Sequence, residues 1–355
     1  MSLISSIETS QINFILSLQH SNGAIMESAT ESLVYTRDLA LAAIALTLSG
    51  HMYQAQKAIQ FLVSLPQQSS NFTGPSNTSY SSPPAWCQIY TPNGQVLDPS
   101  LRGEDQGMAL FAISTFVEES GNTSIVRESW QKIENSANFI LYLQHAPEPN
   151  IPFNGLYRHG NNWHDERPEN MQGKTPIYWP FWPEYYQWEE ENMRMIKGLE
   201  GAIFLAQSLG YPFGSWNQSV KLALVGLKDN ESMYDKYETY DYFGSVLWNI
   251  QTNLSSAKAL LARMPSSLFT SYGVKDLSWE DYAAVSDTID YMTCLVRVGN
   301  ITGASELLRI VATDYVNPRG GFYDGLYSNG IPLDDQPTVY SSARFAYFAY
   351  VAFNS

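Results

Sequence analysis

The segment from Tyr178 to Trp188 combines a carboxyl group with an unusual density of aromatic rings. Seven of its eleven residues are aromatic, and Glu184 lies among them. Pro180 and Pro183 each remove a helical hydrogen bond, so the segment is predicted to be a loop. Flat rings on a loop suit the faces of sugars, and a carboxyl among apolar rings tends to have the raised pKa that a general acid needs. The structural alternative is that the rings close one end of a helical barrel.

Two pairs of charged residues lie where apolar helices are predicted to begin. Arg37 and Asp38 form the first pair, and burial of either charge is costly unless it is paired. Arg102 and Asp105 form the second pair. Each pair either makes local ion pairs and helix caps, or faces a cavity and binds sugar hydroxyl groups. The residue types alone leave both interpretations open.

The polar loop 161–168 supplies two more candidates. It contains Trp163 and Glu166, and Glu166 is a reserve candidate for the catalytic acid. His159 and His164 are five residues apart and lack further ligands at metal-binding spacing, so a zinc site is not expected. The alternative is an ordinary solvated loop.

A glycine-rich segment, 319–330, carries the candidate for a second catalytic carboxylate. Asp324 lies between Tyr323 and Gly325. The glycines of this segment permit tight turns and the close approach of a ligand. The alternative is an aspartate that only stabilises a turn.

The elements that must position these residues are helices. Helical periodicity recurs along the whole chain, whereas alternating strand patterns are scarce. Twelve helices favour six helical hairpins. The predicted helices span 6–20, 36–49, 51–64, 104–119, 123–145, 190–209, 215–228, 240–250, 254–263, 279–297, 303–314 and 339–353.

The apolar patterns of neighbouring helices predict how the hairpins are arranged. Helix 36–49 is apolar nearly all round, whereas helix 51–64 is amphipathic. Buried helices that alternate with amphipathic ones fit an inner and an outer ring, so the chain is predicted to be an all-α (α/α)6 toroid. We expect a single domain, 1–355, with long loops near 66–102 and 146–188.

An internal repeat supports the reuse of one structural unit. Residues 13–20 and 138–145 are identical at seven of eight positions, and an Asn-Gly pair follows each of them. Self-similarity of this kind is typical of repeat architectures.

Composition narrows the class of protein. The 355 residues carry a net charge of -15, with 15% charged residues against about 25% in typical proteins. An acidic chain argues against nucleic acid and anionic membranes as partners, and no apolar run is long enough to span a bilayer. The low charge favours an extracellular setting, with a cytoplasmic one as the alternative. Cys87 and Cys294 are too few for a disulfide framework or a zinc cluster, and they either pair or stay free.

Several of these segments, taken in order along the chain, resemble glucoamylase-like glycoside hydrolases, the family 15 branch of the six-hairpin glycosidases. The matching motifs are Tyr35-x-Arg37-Asp38 at an inner helix, Arg102 to Leu110 before the next, Trp182-Pro183-Glu184 ahead of the small-residue run from Gly198 to Ala202, and Tyr323-Asp324 before the last helix.

The resemblance implies inverting hydrolysis of α-linked glucose oligomers or a related oligosaccharide or polysaccharide. Glu184 would protonate the leaving oxygen and Asp324 would activate a water molecule, with Glu166 in reserve. The two carboxyl groups of an inverting pair stand about 6.5–9.5 Å apart, which leaves room for that water. No metal or organic cofactor is expected. The residues expected to bind the sugar are Arg37, Asp38, Trp86, Arg102, Asp105, Trp163, Trp182, Trp188 and Tyr323.

The chain also departs from the family pattern. Pro183 separates the tryptophan from the acid, the family base is a glutamate where this chain has Asp324, and 146–180 resembles an insertion. A toroid that binds glycans at a cell surface without catalysis is therefore an alternative. A lyase or unsaturated-uronide hydrolase ranks lower, because a uronide would need a more basic cavity than this acidic chain suggests.

Overall fold

The described part of the chain forms twelve α-helices, in agreement with the sequence prediction. A computed structural model describes residues 2–73, 79–145, 157, 189–234, 240–278, 280–333 and 336–354. The helices are α1 (Ser2–Ser17), α2 (Thr36–Leu48), α3 (Met52–Ser64), α4 (Gly103–Ser120), α5 (Ser124–His145), α6 (Glu189–Leu209), α7 (Gly214–Tyr234), α8 (Tyr240–Leu247), α9 (Leu254–Ala262), α10 (Val285–Arg297), α11 (Ile301–Asp314) and α12 (Val339–Asn354).

The even-numbered helices form a closed inner ring. Each packs against the next even-numbered helix, and α12 packs against α2 to close the circle. The odd-numbered helices lie outside, with α1 on α12 and α3 on α2. Because an outer helix returns the chain after each inner one, the six inner helices run parallel and begin at the same end. This confirms the predicted (α/α)6 toroid.

Residue type explains the assignment of helices to the two rings. The run from Leu39 to Leu46 in α2 is buried on all sides, as an inner helix requires. In α3, Ala55, Ala58 and Leu62 are buried on the face toward α2 while the other face is polar. The amphipathic pattern therefore places α3 in the outer ring.

Short antiparallel strands connect the helices. They are β1 (Val34–Tyr35), β2 (Gln67–Gln68), β3 (Asn71–Thr73), β4 (Ser79–Ser81), β5 (Ala85–Trp86), β6 (Ile89–Tyr90), β7 (Val96–Asp98), β8 (Phe269–Thr270), β9 (Gly273–Val274), β10 (Tyr282–Ala284) and β11 (Gly325–Tyr327). One sheet has the order β1-β6-β7, and the other strands pair as β2-β5, β3-β4, β8-β9 and β10-β11.

One helix begins later than the sequence predicted. The periodic pattern started at 279, but α10 begins at Val285. Tyr282–Ala284 pairs instead with Gly325–Tyr327 as an antiparallel strand. This pairing ties the segment that carries Asp324 to the first turn of an inner helix.

The two cysteines are separate free thiols, and both are buried. In the described part of the chain, no helix is both long and apolar enough to cross a bilayer.

Inner helices α4 and α6 touch through glycines. A Cβ atom on Gly198 would lie 2.5 Å from the carbonyl oxygen of Gly107. A Cβ on Gly107 would in turn lie 2.5 Å from the carbonyl oxygen of Arg194. The two backbones are therefore in direct contact, and larger residues at these positions would force the helices apart.

This contact predicts a position-specific cost of adding one methyl group. Gly198→Ala should lower the free energy of unfolding by about 1–3 kcal/mol, because the obstructing atoms are backbone and cannot rotate away. Gly214→Ala is the matched control, since a Cβ there meets no atom within 4 Å. Urea unfolding of both variants provides the measurement. Equal stability of Gly198→Ala and the wild type would show that the helices are not in contact.

Candidate functional site

The centre of the charged network is Glu104, in the first turn of α4. Its Oε1 atom forms an ion pair with Arg37 Nη1 at 3.4 Å and a closer ion pair with Arg102. Its Oε2 atom pairs with Arg194 of α6. The Glu104 side chain is only 2% exposed. One buried carboxylate therefore joins arginines from α2, α6 and the residue that precedes α4.

Tyr340 extends this network to the last inner helix. Its hydroxyl oxygen accepts hydrogen bonds from Arg194 Nη2 at 2.9 Å and from Arg344 Nη2 at 2.6 Å. Arg344 Nη1 also pairs with Asp290 Oδ2 of α10 at 2.8 Å, and both of these side chains are fully buried. The ion pairs around Glu104 and the Arg344–Asp290 pair, joined through Tyr340, thus connect α2, α4, α6, α10 and α12.

The parallel inner ring explains why acidic residues gather at this end. Helix N-termini carry partial positive charge and favour carboxylates in their first turns. Asp38 lies in the first turn of α2, Glu104 and Asp105 in that of α4, and Asp287 in that of α10. Because all inner helices begin together, these side chains converge on one end of the toroid.

Glu27, Asp38 and Asp324 form a second group beside Arg37. Asp38 Oδ1 accepts a hydrogen bond from Arg37 Nε at 2.9 Å. Asp324 Oδ1 accepts one from Thr338 Oγ1 at 2.8 Å, while the next amide, that of Val339, donates to the Glu27 carbonyl at 2.9 Å. The first turn of α12 thus brings the Asp324 loop and the Glu27 loop together.

Glu27 is a candidate proton carrier. Burial raises its pKa well above the ordinary glutamate value, and the charge of Asp38 and a hydrogen bond with that carboxyl raise it further. Arg37 opposes the shift, whereas the charge of Asp324 adds to it. A hydrogen bond between two carboxyl groups needs one proton, and the raised pKa makes Glu27 the candidate to carry it.

Asp105 is a second buried acid. Burial raises its pKa to about 8, with Arg102 opposing the shift and Glu104 adding to it. Its Oδ2 atom is buried and has no hydrogen-bond partner among the described residues. A pKa of about 8 favours the protonated form of Asp105 at neutral pH.

Most of the predicted binding residues in the described part of the chain meet at this site. Arg37, Asp38, Arg102 and Asp105 lie together around Glu104 and Glu27. Asp324 joins them through its electrostatic contact with Glu27. Their convergence makes this end of the toroid the candidate site.

The other predicted residues have different outcomes. Trp86 is completely buried, and its main-chain N–H and C=O both bond to Gln106 at 2.9 Å. Trp86 therefore lies within the core of the described residues, and its contact with a sugar stays a prediction. Tyr323 is half-buried, and its amide donates to the Tyr315 carbonyl at 2.9 Å. The predicted residues outside the described part are Trp163, Glu166, Trp182, Glu184 and Trp188.

Sequence reasoning missed several members of the network. Glu104 is not among the residues predicted to bind the sugar, although it is the hub of three ion pairs. Asp290 and Arg344 stand inside buried helices, and a charge in such a place requires a partner. That signal was available in the sequence. Glu27 belongs to no motif, and only the tertiary fold brings it to Asp38.

Comparison with known proteins identifies the fold. Neither a protein-family model nor a curated protein matches this chain in sequence. A solved glycosidase in complex with glucose matches with a TM-score of 0.73 and 12% identity, over 99% of this chain and 97% of that chain. A sugar epimerase from a ruminal bacterium matches with 0.68 and 11%, over 99% of both chains. A D-mannose isomerase gives 0.68 and 11%, over 99% of this chain and 97% of that chain. At these identities the likeness shows the fold alone.

The raised pKa of Asp105 predicts how stability depends on pH. A carboxyl that holds its proton more tightly when folded stabilises the fold at low pH, and this contribution is lost as pH rises toward the folded pKa of about 8. The wild type should lose up to about 1.4 kcal/mol per pH unit relative to Asp105→Asn between about pH 4 and 8.

Urea unfolding at pH 5, 6, 7 and 8 measures this difference. Asp314→Asn, which replaces an exposed carboxylate at the end of α11, is the control and should run parallel to the wild type. A constant difference between Asp105→Asn and the wild type over this range would contradict a bound proton on Asp105.

Proposed function

We propose that this protein is a carbohydrate-processing enzyme that hydrolyses a glycosidic bond in a neutral, α-linked glucose oligosaccharide, with inversion. The observation that carries the proposal is the meeting of Glu27, Asp38 and Asp324 beside Arg37, at the end of the toroid where the inner helices begin. Glycoside hydrolysis needs carboxyl groups in different protonation states. The raised pKa of Glu27, caused by burial and by the neighbouring Asp38, supports such a division.

In the proposed reaction, Asp324 is the general base and Glu184 is the general acid. The Thr338 hydroxyl, 2.8 Å from Asp324 Oδ1, would orient the base toward a water molecule. An inverting pair stands about 6.5–9.5 Å apart, which leaves room for that water between the base and the sugar. Trp182 and Trp188 are the proposed stacking residues of the aromatic segment, and Glu166 is the reserve acid.

The residues proposed to bind the sugar differ in their access to it. The Arg37 side chain is 27% exposed, whereas those of Asp38 and Arg102 are 4% and 9% exposed. Arg37 is therefore proposed to contact the sugar hydroxyls directly, with Asp38 bonded to it. Arg102 and the protonated Asp105 would lie deeper in the protein and would support the residues that contact the sugar.

The charge balance of the network favours a neutral sugar. Each of the four arginines has a carboxylate partner: Arg37–Asp38, Arg102–Glu191, Arg194–Glu104 and Arg344–Asp290. A sugar carboxylate could pair with one of these arginines only by displacing the protein carboxylate that is bound to it. The displaced carboxylate would then be buried without a counter-ion, which is costly. This argues against uronides as substrates.

Sugar epimerisation or isomerisation is the second candidate function. It is favoured by the matched sugar epimerase and D-mannose isomerase, which share this toroid. Such a reaction would use a carboxyl of the same site to move a proton between carbon atoms of one sugar. It conserves the number of sugar molecules and exchanges a carbon-bound hydrogen with solvent, whereas hydrolysis does neither.

Proton NMR in D2O separates the two functions. The protein is incubated at mildly acidic pH with maltose, isomaltose, cellobiose, glucose and mannose. We expect glucose of inverted anomeric configuration to be released from maltose or isomaltose. Deuterium incorporation into an intact sugar would instead establish the second candidate. Failure to convert any of the five sugars would count against the proposed function.

Substitution of the proposed pair tests the assignment of the catalytic residues. Asp324→Asn and Glu184→Gln should each lower kcat by about 10²- to 10⁴-fold, because each removes a group that transfers a proton in the reaction. Asp281→Asn is the matched control, since this aspartate is exposed and lies beside the same loops. Full activity in either site variant would remove that residue from the mechanism without affecting the case for a carbohydrate-processing enzyme.

A further inference from the structure

We infer that Tyr340 contacts the substrate and that its phenolic O–H donates a hydrogen bond to a hydroxyl oxygen of the bound sugar. The inference rests on the proposed function, because it names the ligand of the same site. It assigns a specific polar contact to a residue that no motif in the sequence identifies.

The first argument is the direction in which the Tyr340 proton must point. A phenolic oxygen can accept two hydrogen bonds and can donate one. Arg194 and Arg344 donate to this oxygen at 2.9 and 2.6 Å, so both acceptor positions are occupied. The Tyr340 proton must therefore point away from both guanidinium groups, and no acceptor for it occurs among the described residues.

The second argument is that the ring is held rigidly. The guanidinium carbon of Arg37 lies 4.6 Å from the ring centroid and that of Arg344 lies 4.8 Å from it. These cation–π contacts fix the plane of the ring. The two hydrogen bonds to its oxygen fix the rotation of the hydroxyl. Tyr340 therefore offers an O–H group whose direction is set before a ligand arrives, which reduces the cost of binding.

The third argument is access. The Arg194 and Arg344 side chains are 2% and 0% exposed, whereas Tyr340 is half-buried and Arg37 is 27% exposed. Tyr340 and Arg37 thus form the accessible surface of an otherwise buried network. A ligand that contacts Arg37 also meets the edge of Tyr340.

The chemistry of this donor selects its acceptor. The surrounding guanidinium groups repel cations, and their own charges are already balanced by Asp38, Glu104 and Asp290. A neutral oxygen with an available lone pair fits the position. Sugar hydroxyls present such oxygens, and each can still donate its own proton to a carboxylate such as Asp38.

The test compares two tyrosines on one helix. Tyr340→Phe removes the O–H group and keeps the ring. Tyr347→Phe is the matched control, because Tyr347 also lies on α12 and its oxygen accepts a hydrogen bond from Arg297 at 3.0 Å. Tyr340→Phe loses its hydrogen bonds from Arg194 and Arg344 and Tyr347→Phe loses its one from Arg297, but only Tyr340 belongs to the network around Glu104.

Isothermal titration calorimetry with glucose and maltose supplies a measurement that does not depend on turnover. We expect Tyr340→Phe to weaken binding of the sugar about tenfold, as the loss of one neutral hydrogen bond predicts. Tyr347→Phe should bind as the wild type does. Titration with 2-, 3-, 4- and 6-deoxyglucose locates the contact. One of these analogues should bind the wild type more weakly than glucose does, but should bind Tyr340→Phe as tightly as glucose does.

Thermal unfolding shows whether each variant is folded. If Tyr340→Phe does not fold, replacement of Tyr340 by O-methyltyrosine keeps an oxygen for the arginines and removes only the proton. Equal affinity of the folded variant and the wild type would overturn the inference and leave the proposed function intact. Absence of sugar binding and conversion in the wild type itself would overturn both.

Discussion

The structure depends on the burial of several positive charges at one end of a helical ring. Arg37, Arg102 and Arg194 come from three different parts of the chain, and each reaches the carboxylate of Glu104. A buried guanidinium without a counter-ion would cost several kcal/mol, so no two of these inner helices can separate here without exposing an unbalanced charge. The ion pairs therefore specify how α2, α4 and α6 fit together, whatever their net contribution to stability.

Helix packing makes this charge arrangement possible. Gly107 leaves room for the backbone of Arg194, whose carbonyl oxygen would be 2.5 Å from any Cβ at that position. Glu104 lies one turn before Gly107 on α4, so the same close approach brings the Arg194 guanidinium to the Glu104 carboxylate. A bulkier residue at the glycine would separate the ion pair as well as the helices. The packing and the electrostatics of the site are thus one constraint.

The sequence predicts the helices well because their signal is local. The all-apolar run of α2 and the amphipathic pattern of α3 each assign a helix to a ring without knowledge of its neighbours. The start of α10 was missed because Tyr282–Ala284 pairs with Gly325–Tyr327, which is distant in the chain. A periodic pattern contains no information about such a partner.

The same distinction divides the candidate site. Arg37, Asp38, Arg102 and Asp105 could be predicted, because charges at the start of apolar helices must be paired or functional. Their partners could not be predicted, since Glu104 and Arg194 are 90 residues apart in sequence. The Glu27 loop is held by a bond from the Val339 amide at the start of α12, more than 300 residues away in sequence. The sequence thus indicates which buried charges need partners, and the fold determines which residues those partners are.

The site contains two kinds of polar group. Some have their hydrogen-bonding capacity used within the protein, and others can still bind a ligand or transfer a proton. Glu104 has both of its carboxylate oxygens engaged within the protein, through ion pairs to three arginines. Glu27 and Asp105 each retain a buried carboxyl oxygen without a partner, and the Tyr340 proton has no acceptor among the described residues. Unused polar capacity in a buried site is costly, and proteins retain it mainly where a ligand or a reaction uses it. The ion-paired framework holds these groups in place, and the groups themselves are what remains available to a sugar.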